Sequence, residues 1–426
     1  MTNYGSGLVW GRFTIASSVC SLLSGSPEIC PLDNRVIYQP PANYGTDRPD
    51  IVLDAAHNSH LVFREFKFDS SPLNDRFHYL RIDSQGTVTA DCTLPRPANA
   101  PAPGYNNGHY YLQYPHLGIT SWGGLVAAWQ EVPHPDYVAS SLRVDGTRYH
   151  IFTSVGYEGA GGTCPISWTS PTEVLTDHPP RIASWSDWTN QQVSAFSRSG
   201  YVSTRTQTMY TTPLVVNTVD DRCYIAYRTW TSSSEQGQLA VVRSADGVNW
   251  SELPLLTTKP AVAGTRAYQP TLSTSGPLVT AAWYSDRDSP AALPNARLRV
   301  YVSRFDVTYS SEFDYATPVS MNGAVSSNTF FPTPSGSTSF GTARVNRTWS
   351  PTGMTPHSIP FGQNLWGDHI AMAAGVGTYL PLVGWAAADA QTYVAWTDSS
   401  RITTSDTAQP GGNSLEVRGS RVDVTP

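Results

Sequence analysis

The chain has 426 residues, with 27 basic and 33 acidic side chains and a net charge of −6 at pH 7. Charged residues make up 14% of the chain and aromatic residues 11%, so there is enough apolar material for a sizeable core, and a wholly disordered protein is excluded. The slight acidity argues against binding of nucleic acid or an anionic membrane, because both need concentrated positive charge. No apolar run approaches the length of a transmembrane helix, so membrane insertion is not expected.

The N-terminus and the cysteines carry few signals. Residues 1–7 lack the basic and apolar regions of a secretion signal. The five cysteines are scattered, and only Cys20 and Cys30 are close enough in sequence to suggest a local bridge; we expect the cysteines to be mainly small buried thiols. No Cys/His cluster has zinc spacing, and His57 and His60 would point to opposite faces of a strand, so we predict neither a metal site nor a cofactor.

Short β-branched and aromatic runs, broken by Gly, Pro, Asn, Asp and Ser, predict a turn-rich all-β protein. Five segments share one arrangement, in which an extended run and a turn lead to an apolar strand that ends in an aromatic and then polar residues. In chain order, these strands are 61–65, 125–131, 224–228, 278–287 and 393–398. Their aromatics are Phe63, Trp129, Tyr227, Trp283 and Trp396, at intervals of 66, 98, 56 and 113 residues.

A repeat of this length fits a four-stranded propeller blade, which buries its faces against neighbouring blades. We therefore predict an all-β β-propeller with six blades, five or seven being the alternatives, and a β-sandwich as the competing fold. The propeller would span residues 48–426, with long loops at 178–206 and 323–364. The N-terminal segment, residues 1–47, would close the ring together with the C-terminal strands, because pairing the termini removes exposed strand edges.

One turn motif is more specific than the others. In residues 243–250, Ser244 and Asp246 can hydrogen-bond nearby backbone amides, Gly247 supplies the turn conformation and Trp250 packs beneath it. The motif resembles the Asp box of the sialidase and BNR-repeat propellers. In that family the Asp boxes lie away from the active face, so the resemblance implies a structural role. Weaker forms of the motif lie at 81–86 and 303–306.

A second resemblance is clearest in the C-terminal half. Bacterial BNR-repeat proteins of the sialidase superfamily have a strand ending in Trp-x-Asp-x-Arg, a Gly-Asp-Tyr segment and a Trp-Thr-Asp strand. The counterparts here are 283–287, which has one extra residue, 367–369, where His369 replaces the family Tyr, and 396–398. The similarity covers roughly residues 48–424.

In a propeller blade, the start of the first strand and the end of the second lie on the same face. This geometry predicts a polar cluster around the channel, formed by Arg48, Arg228, Asp286, Arg287, Asp368 and Asp398, with Arg64, Glu65, Gln130 and Glu131 at further strand ends. Arginines and carboxylates on a concave surface favour binding of a polar or acidic sugar. Mutual pairing that only lines the channel is the alternative.

The resemblance also implies a catalytic mechanism. Sialidases hold the substrate carboxylate with three arginines, use a Tyr activated by a Glu as nucleophile, and use an Asp as the acid–base residue. The best candidates for the arginines are Arg48, Arg228 and Arg287, whereas spacing alone does not identify the Tyr–Glu pair.

We therefore expect a sialidase-like propeller that binds a glycan or glycoconjugate, without established catalysis. The alternatives are an exo-glycosidase of the sialidase type and a structural or attachment subunit of an extracellular or viral particle. The family resemblance favours an extracellular or particle-associated protein.

Overall fold

A computed structural model describes part of the chain. The described residues are 7–15, 29–67, 75–97, 110–133, 150–159, 164–175, 213–230, 237–253, 267–285, 299–310, 313, 317–318, 320–321, 324–325, 370–374, 379–380, 384–385, 391–398 and 416–423. They form strands and turns and contain no helix, and so none that could cross a membrane. The chain divides into two compact units, a first unit of Met1–Tyr137 with Phe152–Thr172 and a second unit of Val138–Ile151 with Glu173–Pro426.

The first unit contains a hairpin, a four-stranded antiparallel sheet and a five-stranded antiparallel sheet. The hairpin is β1 (Leu8–Ile15) and β2 (Ile29–Tyr38). The first sheet has the order β3 (Tyr44–Leu53), β4 (Ser59–Lys67), β5 (Arg76–Ile82) and β6 (Val88–Thr93). The second has the order β7 (Tyr110–Ile119), β8 (Leu125–Pro133), β9 (His150–Glu158) and β10 (Ile166–Trp168), and β11 (Thr172–Glu173) also pairs with β9.

The two sheets of the first unit share a core because alternate residues of each strand point toward the other sheet. Val62, Phe77 and Tyr79 meet Ala127 and Trp129 there. On the opposite face of the β3–β6 sheet, the hairpin covers a second cluster made by Trp10, Leu61, Phe63, Leu80 and Ile82. The central strands β4 and β5 are therefore buried on both faces, as in a propeller blade.

The second unit repeats the same four-stranded meander twice. One sheet is β12 (Leu214–Asn217), β13 (Arg222–Trp230), β14 (Gly237–Ser244) and β15 (Ser251–Glu252). The next is β16 (Ala267–Ser275), β17 (Leu278–Ser285), β18 (Arg299–Asp306) and β19 (Thr317–Pro318). Both contribute to one core, in which Tyr224 and Val241 of the first sheet join Trp283, Tyr301 and Phe305 of the second.

The remaining strands of the second unit are shorter or form smaller sheets. They are β20 (Ser320–Met321), β21 (Ala324–Val325), β22 (Ile370–Ala374), β23 (Tyr379–Leu380), β24 (Gly384–Trp385), β25 (Gln391–Asp398) and β26 (Glu416–Asp423). The largest of these sheets has the order β22–β25–β26.

The predicted fold class is confirmed: the described chain is all-β, and its main sheets are the four-stranded antiparallel meanders of β-propeller blades. The number of blades and the domain boundaries stay predictions. β1 pairs with β2, and β26 pairs with β25. Closure of the ring by pairing of the N-terminal and C-terminal strands also stays a prediction. The predicted loop at 178–206 lies outside the described residues. In the predicted loop at 323–364, the described residues are those of β21.

The expectation of mainly unpaired cysteines is wrong for two of them. Cys92, in β6, and Cys164, just before β10, form a disulfide, although 72 positions separate them in sequence. Packing of the two sheets brings them together, and sequence spacing could not reveal that. Cys223 is a free, buried thiol. The bridge considered between Cys20 and Cys30 lies outside the described side chains.

Candidate functional site

In three of the sheets, the strand that comes first in the chain has a register shift at an Xaa-Pro dipeptide. The skipped dipeptides are residues 48–49 in β3, 114–115 in β7 and 269–270 in β16. Proline has no N–H to offer the ladder, so it is tolerated at such bulges. Each bulge lies opposite the strand-end aromatic of the neighbouring strand, namely Phe63, Trp129 or Trp283. The repeat detected from the aromatics therefore includes a bulge that the sequence analysis missed.

In the first unit, two of these bulges meet. Arg48 and Tyr114 both have left-handed backbone conformations, with φ of 55° and 46°, which are unfavourable for side-chain-bearing residues and more so before proline. The guanidinium carbon of Arg48 lies 4.1 Å from the centre of the Tyr114 ring. Asp50 accepts a hydrogen bond from the Leu117 N–H at 2.9 Å. Together with the contact of Arg48 with Tyr114, this bond shows that β3 and β7 run side by side in the same direction.

β3 and β7 begin, and β4 and β8 end, at one side of the two sheets. We call this side the strand-end edge. Arg48 lies near this edge, and its Nη1 is buried without a hydrogen-bond partner, while its Nε lies 3.5 Å from Asp47 Oδ2. Gln130, near the end of β8, is fully buried, and neither its amide oxygen nor its amide nitrogen has a partner. Buried polar atoms without partners are costly and rare, so both residues require an explanation.

Glu65, near the end of β4, is a fully buried carboxylate with several partners. Its Oε1 accepts from Arg76 Nε at 2.7 Å and Nη2 at 2.6 Å, and its Oε2 accepts from the Tyr38 hydroxyl. His78 Nε2 lies 3.6 Å from Oε1. Burial, and then the bond to Glu65, raise the pKa of Tyr38 well above its ordinary value, so the phenol is protonated and donates. Burial lowers the pKa of His78.

Arg64 and Glu131 also lie at the ends of their strands but are engaged within the protein. Arg64 donates to Asp75 Oδ2 from Nη2 at 2.5 Å and from Nε at 3.1 Å, and both side chains are buried. Glu131 accepts from Trp129 Nε1 at 3.4 Å and lies 3.9 Å from Arg96. Of Arg48, Arg64, Glu65, Gln130 and Glu131, Arg48 and Gln130 have buried polar atoms without a hydrogen-bond partner, as does Nε2 of the neighbouring His78.

The six residues predicted to share one rim are only partly described. Arg228 lies in β13 and Asp398 is the last residue of β25, but their side chains lie outside the described residues. Asp286, Arg287 and Asp368 lie outside them entirely. A common rim that includes Arg48 therefore stays a prediction.

The histidines considered as metal ligands have other roles. His57 lies in the β3–β4 turn rather than in a strand, with φ of 63°. His60 is buried, with Nδ1 2.7 Å from the Tyr79 hydroxyl and Nε2 3.1 Å from Asp54 Oδ2. Within the described part of the chain, no three His, Cys, Asp or Glu side chains form a group that could hold a metal ion.

The turn after β14 has the hydrogen bonds that its sequence predicts. Asp246 Oδ1 accepts from the backbone N–H groups of Val248 at 2.8 Å and Asn249 at 2.7 Å, and from Ser244 Oγ at 2.9 Å. Gly247 has φ of 74°, and its carbonyl accepts from Trp250 Nε1 at 3.3 Å. Because Ser244 pairs with Cys223 at the start of β13, this turn lies at the opposite edge of the sheet from Arg228.

Replacing Asp246 with Ala should lower the free energy of unfolding by about 1–2 kcal/mol, because the turn loses its main acceptor. Partial burial raises the pKa of Asp246, but hydrogen bonds from Asn249, Val248 and Ser244 outweigh it and lower the pKa to about 2. Because the pKa of Asp246 is lower in the folded protein than the unfolded value of 3.8, its ionised carboxylate stabilises the fold above pH 3.8. This stabilisation is lost as the pH falls toward 2.

Denaturant titrations of the wild type and the variant between pH 7 and pH 2 would test this. The difference in unfolding free energy should shrink as the pH falls below 4. Asp246→Asn is the matched control, because it keeps an acceptor oxygen but has no charge to titrate. Equal stability of Asp246→Ala and the wild type at pH 7 would contradict the structural role of the turn.

No protein-family model matches the chain, and no curated protein sequence matches it. Several solved structures are similar over most of its length. They include an α-L-arabinanase from Penicillium chrysogenum in complex with arabinobiose (TM-score 0.41, 11% identity, covering 89% of this chain and 93% of that one). A levansucrase mutant from B. megaterium has a TM-score of 0.43 and 8% identity, covering 90% of this chain and 83% of that one.

The sialidase of Trypanosoma rangeli has a TM-score of 0.42 and 10% identity, and the match covers 87% of this chain but only 45% of that one. Carbohydrate-active enzymes are therefore among the structures that resemble this chain. Such low identities and TM-scores do not assign it to any of their families.

Proposed function

We propose that this protein is a sialidase-like propeller that binds a carbohydrate or glycoconjugate at the strand-end edge of its first unit. The observation that carries the proposal is the pair of strained bulges. They hold Arg48 over Tyr114 and leave Arg48 Nη1 buried and unpaired, with the unpaired amide of Gln130 near the same edge. Unfavourable backbone conformations and unsatisfied polar atoms persist mainly at functional sites.

The chemistry of these side chains fits a sugar. An arginine donates hydrogen bonds to hydroxyl or carboxylate oxygens, and a glutamine amide can both donate and accept, as a hydroxyl does. The Tyr114 ring is 4% exposed and lies against the guanidinium of Arg48, so it holds that side chain in place. Arg64 is excluded as a ligand-binding arginine, because Asp75 already binds it.

A glycan array followed by calorimetry with the best-bound glycan tests the proposal. Arg48→Ala should weaken binding at least about tenfold, equal to 1.4 kcal/mol, because a charge-assisted hydrogen bond is lost. Arg243→Ala, in β14 of the second unit, is the control and should bind as the wild type does. Equal affinity of the wild type and Arg48→Ala would contradict this placement of the site. If the wild type binds no glycan at all, the structural or attachment role becomes the better interpretation.

One observation favours an exo-glycosidase of the sialidase type as the second candidate. The Tyr38 hydroxyl donates to the buried carboxylate of Glu65, the kind of Tyr–Glu pairing that sialidase chemistry uses. Against it, the raised pKa of Tyr38 disfavours a nucleophilic phenolate. A fluorogenic sialoside separates the two candidates: turnover by the wild type that is abolished in Tyr38→Phe would support the hydrolase. Glycan binding without turnover would support a binding protein.

A further inference from the structure

Charged side chains that project into the core between the two sheets of the first unit form ion pairs. Arg64 and Glu131 each lie two positions after a residue of that core, so they project from the same strand faces as the core residues. Arg64 donates to Asp75 at 2.5 Å, and Glu131 lies 3.9 Å from Arg96. The side chains of Asp75 and Glu131 are buried. Both of these arginines therefore have a carboxylate partner inside the protein.

Three charged residues of β3 lie where this strand runs beside β7, namely Asp47, Arg48 and Asp50. Together with Tyr114 and His116 of β7 they form what we call the β3–β7 seam. The acidic side chains are the more exposed ones: Asp47 is 47% and Asp50 32% exposed, against 12% for Arg48. Asp47 Oδ2 lies 3.5 Å from Arg48 Nε. A ligand that approaches the seam therefore meets two carboxylates before it meets the guanidinium.

Asp50 is bound by groups that carry no permanent charge. Its Oδ2 accepts from the Leu117 N–H at 2.9 Å and lies 3.5 Å from His116 Nδ1, and these are its partners among the described residues. A histidine is neutral unless it is protonated, so with His116 neutral the seam carries one more negative charge than positive charge. Asp47 and Asp50 pair with residues two positions apart on β4, so both carboxylates project from the same face of the sheet.

We infer that the β3–β7 seam makes the strand-end edge selective for neutral sugars over anionic ones, and that Asp47 and Asp50 determine this specificity. The inference rests on the proposed function of that edge, and it reverses the preference for an acidic sugar that the sialidase resemblance implies. A sugar hydroxyl can donate to a carboxylate of the seam and accept from Arg48. A carboxylate or sulfate group of a ligand can only accept, and the two exposed carboxylates repel it.

Pairs of glycans that differ by one acidic group test the inference. A glycan array of neutral glycans and their sialylated, sulfated or uronate-containing counterparts identifies the pair with the most tightly bound member, and calorimetry then measures both members. The wild type should bind the neutral member at least about tenfold more tightly than the acidic one. Arg48→Ala should weaken binding of the neutral member, as the proposed function requires.

Variants that remove a charge but keep an acceptor oxygen isolate the effect of that charge. Asp47→Asn and Asp50→Asn should each raise the affinity for the acidic member, relative to the neutral one, by about threefold or more. Asp50→Glu keeps the charge and should retain the selectivity of the wild type. Glu158→Gln is the matched control, because it removes a 73% exposed carboxylate at the end of β9, at the opposite edge of the sheet. Its ratio of affinities should equal that of the wild type.

Salt dependence tests the selectivity without a variant. Between about 50 and 500 mM sodium chloride, the affinity of the wild type for the acidic member should rise because salt screens the repulsion, and that for the neutral member should stay constant. Tighter binding of the acidic member that Arg48→Ala weakens would overturn the selectivity and leave the proposed function intact. Ratios in both Asn variants equal to that of the wild type would also overturn it. Failure to bind any glycan would overturn the proposed function and this inference with it.

Discussion

Replacing both Cys92 and Cys164 with serine is expected to lower the free energy of unfolding by about 4 kcal/mol. The bridge joins β6 of one sheet to the residue two positions before β10 of the next, and its partners are 72 positions apart in sequence. Removing it releases a long loop in the unfolded chain, whose added conformational freedom favours unfolding. Cys92 is itself buried in the core shared by these sheets.

Thermal unfolding with and without dithiothreitol measures this effect. The reductant should lower the melting temperature of the wild type by more than it lowers that of the double variant, which still contains Cys20 and Cys30. Cys223→Ala is the control and should keep the sensitivity of the wild type, because Cys223 is unpaired and burial raises the pKa of its thiol to about 12, so that it hardly ionises or exchanges. A double variant that melts at the temperature of the wild type would show that the bridge contributes nothing.

Trp129→Ala should destabilise the protein by about 3–5 kcal/mol, the usual cost of removing a large buried aromatic. Trp129 is 1% exposed and lies in the core between the two sheets of the first unit. Its ring contacts Phe77 of β5 edge-on, at 5.8 Å between centres, and stacks on Phe152 of β9 at 6.2 Å. The substitution would leave a cavity at the point where the sheets meet, and it would remove one of the groups that bind Glu131.

Trp122→Ala, in the same β7–β8 hairpin, is the matched control. Its indole is half-exposed, so its loss should change the free energy of unfolding by roughly 0.5 kcal/mol or less. Denaturant titrations of both variants, followed by circular dichroism, compare the two positions directly. Similar stabilities of Trp129→Ala and Trp122→Ala would refute the role of the strand-end aromatic in sheet packing.

Local patterns were enough to predict much of the fold. The strand-end aromatics Phe63, Trp129 and Trp283 mark second strands of four-stranded sheets, because alternation within a strand and the residues of a tight turn are encoded over a few positions. The turn around Asp246 is likewise local, since Asp246 bonds to Ser244, Val248 and Asn249, all within three positions of it. The bulges also left a signal that was overlooked: an Xaa-Pro dipeptide begins 15, 15 and 14 residues before these three aromatics.

Only the tertiary structure decided which distant residues meet. The Cys92–Cys164 bridge, the stacking of Arg48 on Tyr114 and the hydrogen bond from Tyr38 to Glu65 all join different strands that are far apart in sequence. The same holds for the arginines at the strand-end edge, where Arg64 is bound by Asp75 while Arg48 Nη1 is left unpaired. Strand-end spacing makes these two arginines look equivalent; they differ because burial and pairing depend on how the sheets pack, which no local pattern encodes.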